Sequence, residues 1–209
     1  MAPQEQPLKY KKGGNEKRMM CQKAFIMRMT ICSFSSMVAQ LNKAQTKVVK
    51  SMGFTSFLKV DLKRIPRKFS KWLVESFDPY SASFVLPDGQ RFTVTAFNVY
   101  VTLGVPIGGR EIIEITKSST DKEYDEVKKW KIQHNAPKLT CTPEFILAKK
   151  DRDESFKRNF IIYLANCFFS EPKNRYYSKS ILKYVKEVNQ ITSLDWCKFV
   201  LQKLITSVR

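Results

Sequence analysis

Histidine is almost missing from this sequence: His134 stands alone. Any scheme that needs two imidazoles is excluded, and Cys-His catalysis is left with one base. That base lies in Gln133-His134-Asn135-Ala136-Pro137, which reads as the polar end of a helix and a loop with nothing to set its pKa. Cysteine offers little more. Cys21, Cys32, Cys141, Cys167 and Cys197 form an odd set without C-x-x-C spacing, which removes a paired zinc site and a regular disulfide framework. The last two fall on apolar helix faces, where a free thiol behaves as a small hydrophobe, and a reducing compartment is expected. Long apolar runs are lacking too. The longest, Phe160 to Phe169, is about half of the roughly 20 residues that span a bilayer. Arg28 divides the one N-terminal stretch that could serve as a secretory leader. Neither a membrane span nor secretion is expected, and an organelle transit peptide is the weaker reading of the acid-poor start.

The motifs of common chemistries are also absent. Gly104-Val105-Pro106-Ile107-Gly108-Gly109 lacks G-x-x-x-x-G-K-[ST] and reads as a helix stop followed by a turn. No G-x-S-x-G elbow occurs, and no lysine has a setting that would lower its pKa for Schiff-base work. Asp151 and Asp153, with Glu154, are better explained as a helix start favoured by the macrodipole than as an acidic site. Catalytic, metal and cofactor-binding residues are therefore expected to number none, and no small-molecule substrate is expected.

What is abundant is positive charge. Thirty-seven Lys/Arg against 19 Asp/Glu give +18 and a pI near 9.8, a field that attracts polyanions. The excess is uneven. Residues 1–50 hold ten cations against Glu5 and Glu16, whereas acids gather from Glu111 to Glu126. Two clusters stand out. Lys9, Lys11, Lys12, Lys17 and Arg18 resemble an import signal or a phosphate-contacting arm. Lys63, Arg64, Arg67 and Lys68 lie instead at a helix start, where cations oppose the dipole, which points to an acidic partner. Tyr176 and Tyr177, beside Lys173 and Arg175, fit core-edge packing better than base stacking.

Periodicity predicts a mainly α fold, an irregular helical bundle with one small β-hairpin over about residues 83–94. Residues 1–36 read as a basic, largely disordered tail, and 37–209 as one helical domain. A helix is expected from Met37 to Met52, stopped by Gly53, and a second follows Pro66 with Phe69, Trp72, Leu73 and Phe77 as its apolar stripe. Ser83–Leu86 and Arg91–Val94 flank an Asp88-Gly89 turn. Thr95 caps a short helix closed by Gly104, and residues 110–119 read as extended. A charged helix is expected over 121–133, and another begins at Thr142-Pro143-Glu144. Phe160 to Phe169, apolar in nearly every direction, should be the centre of the core. Ser178 caps a helix bearing Ile181, Leu182, Val185 and Val188. The last helix aligns Leu194, Cys197, Leu201, Leu204, Ile205 and Val208.

The order of these pieces is distinctive. Ser51-Met52-Gly53-Phe54, Trp72-Leu73-Val74 leading to Phe77-Asp78-Pro79, Leu86-Pro87-Asp88-Gly89 and Leu103 to Gly109 come first. Phe156-Lys157-Arg158-Asn159-Phe160, Tyr177-Ser178 and Asp195 to Val200 follow. Together, over residues 37–209, they resemble the plant mobile domain, also labelled aminotransferase-like, a helical domain spread by plant transposons. The resemblance implies a non-enzymatic, transposon-derived interaction domain linked to nuclear gene or transposon silencing, with a protein partner and a nuclear location, the cytoplasm being the alternative. No cofactor-lysine motif supports the aminotransferase label. Some related chains continue into a SUMO-type cysteine protease, whose His, Asp and Cys motif does not occur here. The family pattern runs past the Trp196 helix while this sequence stops at Arg209, so a shortened copy, incomplete at its C-terminus, is expected. Two alternatives stand beside this reading: a nucleic-acid-binding module using the basic clusters, and a remnant accessory region of such a protease.

Overall fold

A helix apolar on all sides cannot rest on one neighbour; it must be enclosed. In the computed structural model, which describes residues 30–61, 66–113, 143–148, 154–169 and 179–208, this sets the architecture. In chain order the helices are α1 (Thr30–Val38), α2 (Lys43–Ser51), α3 (Arg67–Ser76), α4 (Ala96–Leu103), α5 (Pro143–Ala148), α6 (Glu154–Phe168), α7 (Lys179–Tyr184) and α8 (Trp196–Val208), with 3₁₀ turns at Thr55–Lys59 and Val188–Ser193. Helix α6 buries Phe156 and every residue from Phe160 to Ala165. It is touched by α1, α2, α5, α7 and the second 3₁₀ turn. The mainly α bundle and its central rod are as the sequence predicts.

Small strands join the helices. β1 (Phe77–Asp78), β2 (Ser83–Val85) and β3 (Arg91–Thr93) form an antiparallel sheet, in which Phe84 opposes both Phe77 and Phe92. The expected hairpin is therefore present and gains a third strand. Asp78 ties its base together: it accepts from Ser81 Oγ at 2.6 Å, from the Tyr80 amide at 3.1 Å and from Arg91 Nη1 at 3.3 Å. These bonds hold its carboxyl below the usual range, that from Ser81 contributing most. A second ladder is parallel and pairs β4 (Arg110–Glu111) with β5 (Leu194–Asp195), so the extended reading of 110–119 holds for its first residues.

Four expectations change. Phe34 and Met37 of α1 are fully buried, so residues 30–36 belong to the folded body and not to the tail. The single helix expected from Met37 is two. Asn42 accepts from the Gln45 amide at 2.8 Å and Gln45 Oε1 accepts from the Asn42 amide at 2.9 Å, a capping box that restarts the helix after Val38. The stripe expected on α3 is covered only toward its end: Phe77 is buried, in β1, and Leu73 half-buried, whereas Phe69 and Trp72 remain 55% and 38% exposed. In the last helix Leu194 falls in β5, and α8 begins at Trp196, whose Nε1 donates to the Ile191 carbonyl at 2.8 Å. The helix expected over 121–133 lies outside the described residues, as does Ser178.

Gly109 shows how tightly the parallel ladder is seated. Its φ is +88°, and a Cβ there would come 2.2 Å from the Ser193 carbonyl oxygen. Gly89, in the hairpin turn at φ +82°, has nothing within 4 Å of such an atom. Gly89→Ala should cost about 1–2 kcal/mol, the left-handed backbone term alone. Gly109→Ala should cost about 1–3 kcal/mol more, because backbone must also move. Urea melts of both variants check the difference.

Candidate functional site

The described residues enclose a groove of about 970 Å³, at the upper end of the range typical of ligand and peptide clefts. Its walls follow from local sequence. Thr95 caps α4 by accepting from the Asn98 amide at 3.2 Å while Asn98 Oδ1 accepts from the Thr95 amide at 2.8 Å. Gly104, with its amide donating to the Tyr100 carbonyl at 2.7 Å, ends the helix after two turns. So short a helix buries one side only: Val99 is covered as α4 packs on α8, whereas Phe97 and Val101 stay 62% and 67% exposed. The hairpin contributes Phe84, Phe92 and Val94, the end of α6 supplies Cys167 and Phe168, with Phe169 following, and α8 adds Val200, Lys203 and Leu204.

The lining is mainly apolar, with Asn98, Thr102, Thr206 and Ser207 as its polar residues and one charge among the described residues. Among the described residues Lys203 is its only ionisable side chain apart from Cys167, and its Nζ lies 5.5 Å from the centre of the Phe199 ring, within cation–π range. No carboxylate lines it among the described residues. A cleft so composed can hold apolar side chains and accept a negative group at one wall.

The thiols are held in their protonated state. Burial pushes Cys167 up to about 12, with a bond to Tyr163 opposing it. Burial, aided by the Asp195 carboxylate, pushes Cys197 up to about 11, and its Sγ donates to the Val105 carbonyl at 3.3 Å. Both are packing groups. Among the described residues no three His, Cys, Asp or Glu side chains are placed to hold a metal ion, and no helix is long and apolar enough to cross a membrane.

Of the basic residues singled out from sequence, Lys9, Lys11, Lys12, Lys17, Arg18, Lys63 and Arg64 lie outside the described residues, as do His134, Tyr176 and Tyr177. Arg67 and Lys68 open α3, with Lys68 exposed. Lys68 is not among the residues that line the groove. Its own residues escaped the sequence reading because Phe97 and Tyr100 repeat at the spacing of a core stripe, and periodicity does not say which stripe is covered.

The thiol shifts are testable. With a folded value near 12 against an ordinary 9.0, iodoacetamide at pH 8 should label Cys167 on the order of a thousandfold more slowly in the native than in the unfolded chain. Peptide mass spectrometry reads this site by site. Because the folded value is the higher one, this thiol's stabilising contribution is complete below pH 9 and is lost as pH climbs toward 12.

No curated protein and no solved structure matches the chain. A family described as a domain of unknown function, DUF8566, matches residues 27–209, a span that takes in the residues of α1 as well as α8. On that match the chain belongs to the DUF8566 family.

Proposed function

We propose that the chain is a non-enzymatic protein-interaction domain of the plant mobile domain kind, acting in the nucleus, and that the groove between α4, α8 and the hairpin is its docking surface. The observation that carries this reading is the groove's lip. Phe92, Phe97 and Val101 are each more than half exposed and border the same cleft. Contiguous apolar surface of this kind on a water-soluble fold marks an interaction site.

Charge selects the kind of partner. A chain at +18 repels a second copy of itself, and a groove with a lysine and no acid among its described lining residues favours an acidic segment bearing apolar side chains. An amphipathic helix laying its apolar face into a hydrophobic groove is a recurrent arrangement that fits these walls. The link to gene or transposon silencing rests on the resemblance of the motifs from Ser51 to Val200 to the plant mobile domain.

A photo-crosslinking residue placed at position 101 of the full chain, in plant nuclear extract, should capture an acidic partner that the same residue at exposed Lys47 does not. Val101→Glu should then weaken the purified partner by at least about tenfold and leave the melting temperature unchanged, since Val101 is exposed. Equal capture at the two positions, or unchanged affinity in Val101→Glu, would remove the groove from the reading. A tagged chain excluded from nuclei would remove the location.

A further inference from the structure

Helix α3 carries a second surface with a different chemistry. Phe69 and Trp72 stand one turn apart with ring centres 5.9 Å from each other and planes within 23° of parallel. Neither is fully covered, Phe69 being 55% exposed and Trp72 38%. Burying a large apolar side chain is worth roughly 1.5–3 kcal/mol, so the exposed part of these two rings forgoes a gain that the core collects elsewhere. Cationic residues lie before and between them, Arg67 and Lys68 ahead of Phe69 and Lys71 beside Ser70. Arg67, Lys68 and Lys71 fall in the first half of a helix whose first turn has no acidic residue, although carboxylates, not cations, stabilise that end. Lys71 reaches Glu75 at 3.7 Å with both side chains more than half exposed, a pairing weak enough in water to yield to a stronger anion. Lys68 is exposed beside the rings. No residue of α3 lines the groove.

We propose that this face of α3 is a stacking platform for single-stranded nucleic acid, with Phe69 and Trp72 receiving bases and Lys68 and Lys71 meeting the phosphates. Near-parallel aromatic planes flanked by cations are the two elements that strand binding without sequence readout requires. A duplex hides the faces of its bases and cannot use the rings. Size speaks against a protein occupant. A standard protein interface covers about 800 Å² on each side, which two side chains and a cationic border do not supply, whereas a ring and a base complete a contact alone. The inference stands apart from the docking role of the groove.

The test is fluorescence anisotropy of a labelled 20-nucleotide oligo-dT with the full chain, alongside duplex DNA of equal length and an acidic peptide, each at two salt concentrations. The wild-type chain should bind the single strand. Phe69→Ala and Trp72→Ala should each weaken it by about fivefold or more with little change in salt dependence. Lys68→Ala should instead flatten the dependence by about 0.7 in the logarithmic slope. Val101→Glu should leave binding unchanged. Because Phe69 is more than half exposed, the circular dichroism melt of its variant should overlay the wild type, and Trp72→Ala, whose ring is partly covered, is compared at a temperature where its melt shows it folded. Ring variants that bind like the wild type would overturn the proposal by assigning binding to cations elsewhere. So would tighter binding of the duplex, absence of binding at low salt, or a ring-dependent affinity greater for the acidic peptide, which would make the face a protein site.

Discussion

Enclosure of α6 is the constraint on which the other elements depend. With seven of its fifteen residues buried, its apolar surface cannot be satisfied by one packed face, as an amphipathic helix would be. Aromatic rings close much of the space. Phe34 lies within 6.3 Å, centre to centre, of Phe57, Phe160, Tyr163 and Phe168, and the chain of contacts continues through Phe57 and Phe169 to Trp196. Edge-to-face and tilted geometries predominate, the arrangements that ring quadrupoles favour. Such a cluster draws one ring from α1, one from a 3₁₀ turn and one from α8, and joins segments remote in sequence.

Polar bonds then fix what the rings bring together. Arg158 on α6 donates to the carbonyls of Val185 and Lys186 at 3.2 Å each, satisfying acceptors just beyond the C-terminus of α7, where helices leave carbonyls without intrahelical partners. The Trp196 indole bond to Ile191 and the Cys197 amide bond to the Pro106 carbonyl at 3.2 Å seat the start of α8 against both the second 3₁₀ turn and the loop after α4. That loop therefore positions two things at once. It carries the close approach of Gly109 to Ser193, and it orients α4 so that Val99 faces inward while Phe97 and Val101 do not.

Much of this was legible in residues. The all-round apolar run of α6, the Asp88-Gly89 hairpin, and the Thr95 and Gly104 ends of α4 each rest on local chemistry that acts within a few positions. What failed to read through was non-local. Phe34 looks like part of a basic tail because its burial depends on Phe160 and Tyr163, more than a hundred residues away. Phe69 and Trp72 look like core for the converse reason: their spacing is that of a covered stripe, and covering is a property of the neighbour. Asn42 was a missed local signal, since Asn followed three residues later by Gln is a capping pair that a continuous apolar period disguises. The parallel pairing of β4 with β5 had no signal at all, being two residues long on each side.

The two exposed aromatic surfaces illustrate one rule with opposite outcomes. Phe97 and Val101 border a concave space with a single cation, so what fits them must itself bring apolar bulk. Phe69 and Trp72 lie on a convex helix between cations, so what fits them must be flat and negatively charged. Curvature and local charge, not hydrophobicity, separate the two, since both patches are built from the same residue classes. Net charge then acts on both together. At +18 the chain disfavours its own copies at either surface, and its field favours negatively charged molecules over cationic ones at both.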